Sequence, residues 1–156
     1  MFDAGTALAL SVPLAIGLAA LGSGFGLGKA VGNALESIGR QPEASGKIMT
    51  TMIIGAALIE ALTIYALVVF FISLNQMNTP EAGKALALSV PLAIGLAALG
   101  SGFGLGKAVG SALDAIGRQP EASGKIMTTM IIGAALIEAL TIYALVVFFI
   151  SLNQMK

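Results

Sequence analysis

Residues Ile53-Ile54-Gly55-Ala56-Ala57-Leu58-Ile59-Glu60-Ala61-Leu62-Thr63-Ile64-Tyr65-Ala66-Leu67-Val68-Val69 carry one carboxylate in an otherwise apolar run. No charge lies between Lys47 and Glu60, and the next one after Glu60 is Glu81. The stretch from Ile48 to Leu74 exceeds the about 20 apolar residues that cross a bilayer. It reads as a transmembrane helix with an acid near its middle. An ionisable side chain at that depth is costly and marks a functional site by default. Desolvation disfavours the charged form, so the acid rests neutral and ionises only where something compensates it. Mid-span, Glu60 is too deep to snorkel to water.

The same setting recurs around Glu138, 78 residues further on. Shifting the chain by 78 lays Ala4–Met77 over Ala82–Met155, and these 74 pairs differ at only four places: Thr6/Lys84, Asn33/Ser111, Glu36/Asp114 and Ser37/Ala115. The chain is a tandem duplication of one unit. Each unit reads as a helical hairpin, with helices at about 3–38 and 43–76, then at about 81–116 and 121–154. The repeats occupy 1–77 and 82–156, with a short polar linker at 78–81. The turn Gly39-Arg40-Gln41-Pro42 combines a helix-stop glycine with a helix-start proline. Pro13 falls inside the first helix, where neighbouring helices in a membrane tolerate it. At about 1.5 Å per residue, helices of this length protrude past a hydrocarbon core of roughly 30 Å. The expected fold is an all-α membrane protein of two tandem transmembrane hairpins, four spans in all, assembling into a ring.

Composition supports a membrane chain. Of 156 residues, 57% are hydrophobic and 10% charged, with mean hydropathy +0.96. A soluble domain carries about 25% charged residues, so there is too little polar material to face water. Net charge is zero without basic or acidic runs, and nothing points to nucleic acid. There is no Cys and no His, which removes disulfides, thiol chemistry and the usual zinc ligands. The N-terminus is expected to stay as a membrane helix: Asp3 stands where a signal peptide is positive, and the run Ala4–Leu27 is too long for an h-region. Six of the eight Lys and Arg (Lys29, Arg40, Lys47, Lys107, Arg118, Lys125) flank the two hairpin turns. The positive-inside rule places both turns in the cytoplasm and both termini outside.

Helix one carries Gly22-Ser23-Gly24-Phe25-Gly26-Leu27-Gly28, then Gly32, and helix three repeats it with Gly100, Gly102, Gly104, Gly106 and Gly110. A flexible linker does not fit an apolar context. A nucleotide loop needs glycine where Ser23 stands and a preceding strand. Small residues four apart let membrane helices approach closely. Two such sets interleave here, Gly22, Gly26, Ala30 and Gly24, Gly28, Gly32, and positions two apart lie about 160° apart around a helix. Helix one is thin on two nearly opposite flanks, which fits a helix held between two like neighbours. Such a head-to-tail interface closes into a ring.

The glycine run, the turn Arg40-Gln41-Pro42 and a carboxylate twenty residues beyond the arginine together resemble the c-subunit (proteolipid) of F-type ATP synthases. The resemblance covers the chain twice, as a fused pair. It implies a rotor ring with first helices inside, in which Glu60 and Glu138 bind protons and couple transmembrane H⁺ flow to rotation and ATP synthesis. It implies that Arg40, Gln41, Pro42 and Arg118, Gln119, Pro120 touch the central stalk of the catalytic head. A separate stator a-subunit is implied to supply an arginine and half-channels, and membrane lipid to surround the ring, in a bacterial inner membrane. On this reading the chain is a non-catalytic ion-translocating subunit without a cofactor. The chain agrees on one point by itself: its only arginines are in the turns, so an acid ionising mid-span needs a counter-charge from a partner.

Sodium-type relatives place a Gln thirteen residues before the turn arginine and a Ser directly after the Glu. Leu27 and Leu105 stand at the first position and Ala61 and Ala139 at the second, so the ion expected is H⁺. Thr63 and Tyr65, with Thr141 and Tyr143, are candidate supporting residues. Thr63 is three residues beyond Glu60 on the same side, and Tyr65, five beyond, is within reach of a carboxyl. Against this, Thr often bonds its own backbone and Tyr often lies at an interface. Alternatives are a V-type-like proteolipid rotor, a Na⁺-coupled ring, and a small proton-coupled exporter. Exporters usually carry the acid in the first helix and line a pocket with aromatics, whereas here the acid is in helix two and there is no Trp.

Overall fold

A computed structural model describes residues 3–74 and 84–152. Within them the chain forms α1 (Ala4–Arg40), α2 (Ser45–Leu74), α3 (Lys84–Arg118) and α4 (Ser123–Ser151), with single 3₁₀ turns at Pro42–Ala44 and Pro120–Ala122. All four helices are long and apolar enough to cross a membrane. The expected linker at 78–81, and the outer ends of helices two, three and four, lie outside the described residues.

Asp3 caps α1 by accepting a hydrogen bond from the Thr6 amide at 2.6 Å, which satisfies one orphan donor of the first turn. The other end of α1 differs from the glycine stop expected from the sequence. Gly39 and Arg40 are helical, and among the described residues no glycine has positive φ. The helix stops at Gln41, φ −139° and ψ 74°. The cause is the proline: it lacks an N–H, and its ring drives the preceding residue out of the helical region. The Gln41 amide still closes on the Ser37 carbonyl at 2.9 Å. Pro42 then opens the 3₁₀ turn, so α2 begins at Ser45 rather than at 43. Gln119 and Pro120 do the same in the second repeat.

Helices α1 and α3 form the inner pair and share the most extensive contact. They run parallel and nearly in register: Ser11 donates to the Ala87 carbonyl at 2.8 Å, and the equivalent residues Phe25 and Phe103 stack with ring centroids 5.3 Å apart. The glycines set this approach. A Cβ on Gly22 would lie 2.6 Å from the Leu99 Cα, and one on Gly26 2.5 Å from the Gly102 carbonyl oxygen. Cβ atoms on Gly102 and Gly106 would strike the backbone of Gly22 and Gly26. The two flanks divide as the interleaved sets require. Helix α1 presents Gly22 and Gly26, and α3 answers with Gly102, Gly106 and Gly110. The remaining flank of α1, with Gly24, Gly28 and Gly32, faces open space, and so does Gly100 of α3.

Helices α2 and α4 lie outside this pair. On α2 the buried residues Ile48, Thr51, Gly55, Ile59, Leu62, Ala66 and Val69 recur every three or four positions, a single stripe on the inner helices. Away from it, Ile53, Ile64 and Phe71 are exposed. A helix with apolar residues on its outward face as well is built for lipid.

Candidate functional site

Glu60 lies one residue past Ile59 of the buried stripe, on the outward side of α2, and is exposed. Two hydroxyls fix that orientation. Thr63 donates to the Ser23 Oγ at 2.8 Å, and Ser23 donates to the Ile59 carbonyl at 2.9 Å. The second repeat repeats the relay: Thr141 to Ser101 at 3.0 Å, Ser101 to the Ile137 carbonyl at 3.2 Å. Each relay ties the outer helix to the inner one at the residue just before the acid. Thr63 and Thr141 thus give their hydroxyl hydrogens to Ser23 and Ser101 rather than to a carboxylate. Sequence reasoning missed Ser23 and Ser101. Their signal was a hydroxyl interrupting a glycine run, forty residues before a threonine.

Glu138 is half-buried between α2 and α4, and the Tyr65 hydroxyl donates to its Oε1. The tyrosine thus serves the carboxylate of the other repeat rather than Glu60 on its own helix. The reason is geometric: five residues is about 140° past one full turn, so Tyr65 faces the neighbouring hairpin. Tyr143, the equivalent donor, is 62% exposed at the open edge of α4. Leu105 is fully buried and Leu27 half-buried against the core, both as packing residues. No oxygen from positions 27, 61, 105 or 139 beyond the backbone is available to a bound ion.

At the turn end, the two arginines differ. Arg40 contacts Asp114 at 2.8 Å, Ser37 at 3.1 Å and Glu36 at 3.7 Å. Arg118 is exposed, as are Gln119 and Pro42, while Gln41 and Pro120 are half-buried. Lys47 donates to the Pro120 carbonyl at 3.1 Å, holding one turn beside the other.

This arrangement offers two carboxylates at membrane depth, each on a helix fixed by a hydroxyl relay, one of them with a phenol as hydrogen-bond donor. It is suited to reversible proton binding. The family model of the ATP synthase c-subunit matches residues 10–73 and again 88–151. An ATP synthase c-subunit from Protochlamydia amoebophila (strain UWE25) is 69% identical over 90 residues, 58% of this chain and 92% of the relative. Another, from Geotalea uraniireducens (strain Rf4), is 47% identical over 85 residues, 54% of this chain and 93% of the relative. A third, from Synechococcus sp. (strain ATCC 27144 / PCC 6301 / SAUG 1402/1), is 55% identical over 65 residues, 42% of this chain and 80% of the relative. Each relative aligns with roughly half of this chain, whereas the family model fits it twice.

Proposed function

The chain belongs to the ATP synthase c-subunit family, and from that premise we propose that it is a doubled proton-carrying unit of the rotor ring of a rotary ATP synthase. It is a multi-pass membrane protein with one mid-span carboxylate per hairpin. Glu60 and Glu138 each take up a proton, carry it through lipid in neutral form, and release it beside a cation of a stator protein. Rotation follows because the ionised acid is held near that cation while the protonated acid enters lipid freely. The ring is embedded in membrane lipid, turns cytoplasmic, and the polar turns around Arg40 and Arg118 meet the central stalk.

The observation that carries this reading is the pairing of repeats within the chain. Helix α3 receives α1 on the Gly102 flank, while α1 keeps its own Gly24 flank open. Stacking further copies by the same operation exposes the same two flanks at each step until the ends meet. Both repeats hold a carboxylate, which favours the F-type pattern over V-type relatives that commonly keep one per four helices. Hydrophobic residues at 27, 61, 105 and 139 favour H⁺ over Na⁺.

The test is ATP-driven proton pumping in vesicles containing the assembled complex. Glu60→Gln and Glu138→Gln should each abolish most of the pumping, to similar extents, while the ring still assembles. A Glu138→Gln ring that pumps like wild type would make Glu138 a bystander and return the one-carboxylate V-type pattern.

A further inference from the structure

Three of the four positions that distinguish the repeats meet in one cluster. Asn33 Nδ2 donates to Asp114 Oδ2 at 2.8 Å, Ser37 Oγ to Asp114 Oδ1 at 3.3 Å, and Arg40 to the same Oδ1 at 2.8 Å. Asn33 and Ser37 are buried. The equivalent positions in the other register are Ser111, Ala115 and Arg118 on α3, and Glu36 on α1. Within this chain none of them meets the others: Ser111 and Arg118 are exposed, and the Glu36 side chain, 71% exposed, lies 3.7 Å from Arg40 on its own helix.

The exchanges compensate one another in size. Inside the chain, a short acid (Asp114) meets a long amide (Asn33) and a hydroxyl (Ser37). At the outer edges, a longer acid (Glu36) is available to a short hydroxyl (Ser111) and a methyl (Ala115). Arginine stands at 40 and at 118 and supplies the positive charge in both cases.

We propose that Glu36 of one copy docks on Ser111 and Arg118 of the next, making the interface between chains chemically distinct from the interface within a chain. This rests on the reading of the chain as a ring unit. The occupant is a second copy because a groove of its shape is already present. Between α3 and α4 lies a groove of about 450 Å³ lined by Ala108, Ser111, Lys125, Thr129, Met130 and Gly133. The corresponding ground on the first repeat is filled by the second: Val109 presses on Gly55, and Lys47 reaches the Pro120 carbonyl. On the open groove, Gly133 has nothing within 4 Å, and Val31, the equivalent of Val109, is 41% exposed on α1. A second copy therefore seats Val31 on Gly133, brings its Pro42 carbonyl to Lys125, and delivers Glu36 to Ser111 and Arg118.

The size exchange also sets the order of repeats. First repeat against first repeat puts Glu36 against Asn33, long against long. Second against second puts Asp114 against Ser111, short against short. Crowding costs the first and lost contact the second, so first and second repeats alternate around the assembly.

A four-way cycle on the full chain tests this. Oligomers of wild type, Glu36→Asp, Ser111→Asn and the double variant are extracted in mild detergent and heated. The dissociation temperature to single chains is then read on a gel. Each single change should lower that temperature, and the double, which copies the internal short-acid and long-amide pair, should recover most of the loss. Additive losses in the double, or no shift in any variant, would overturn the inference while leaving the ring reading intact. A wild-type chain that runs only as a monomer would overturn both.

Discussion

Tyr65 on α2 donates its hydroxyl to Glu138 on α4, a bond between the two repeats rather than within one. The tyrosine that would serve Glu60 by the same geometry is Tyr143 of another copy, since this chain's own Tyr143 stands exposed at the far edge. The Glu138 site is thus shared by two hairpins, and in a ring that repeats this contact the Glu60 site would be completed by another chain.

This sharing predicts crossed effects of the two tyrosines. Carbodiimide modifies protonated membrane carboxyls, and the two glutamates are separable on different fragments. Tyr65→Phe should change the labelling of Glu138 and leave Glu60 unchanged, while Tyr143→Phe should change Glu60 alone. With a net hydrogen bond worth about 1 kcal/mol, each effect should be roughly fivefold. If each tyrosine instead altered the glutamate on its own helix, the pairing across repeats would be wrong.

The glycine flanks should separate folding from assembly. Gly102 lies against the Gly22 backbone inside the chain, whereas Gly24 faces open space. Gly24→Leu should leave the four-helix unit helical by circular dichroism yet block oligomers on a native gel. Gly102→Leu should force α1 and α3 apart, at a cost of at least about 1–3 kcal/mol from overpacking, and lower the thermal stability of the single chain as well. Intact oligomers from Gly24→Leu would count against the open flank as an interface.

The hydroxyl relay should contribute modestly to stability and more to orientation. Interhelical hydrogen bonds in membranes average about 0.6 kcal/mol. Ser23→Ala or Thr63→Val should therefore lower helix-unfolding stability in detergent by that order, with oligomers still formed. Because the relay holds α2 at the Ile59 carbonyl, the same changes should alter carbodiimide labelling at Glu60. Labelling identical to wild type would show that the relay does not position the acid.

Ion type has a direct readout. With leucine and alanine at the positions where sodium-type relatives carry oxygens, millimolar Na⁺ at fixed pH should not protect Glu60 or Glu138 from carbodiimide. Labelling should instead weaken as pH rises and the acids ionise. Protection by Na⁺ would overturn the proton assignment.

The amino-acid sequence by itself determined the four spans, the duplication and the two carboxylates, because apolar runs long enough for a bilayer leave little choice of structure and a lone charge within them cannot be hidden. It also showed the two thin flanks of the first helix, since small residues four apart fall on one face whatever surrounds them. The pairing of Tyr65 with Glu138 was left to the tertiary structure. Spacing along one helix gives a direction, but which neighbour stands in that direction depends on how the hairpins pack. The same holds for Thr63, which turns to Ser23 because α1 brings a hydroxyl there, and for the helix end at Gln41, where proline rather than glycine sets the stop. The cluster of Asn33, Ser37 and Asp114 shows the limit most clearly: as letters they are scattered differences between near-identical repeats, and only the close approach of α1 and α3 across their glycines makes them one interface.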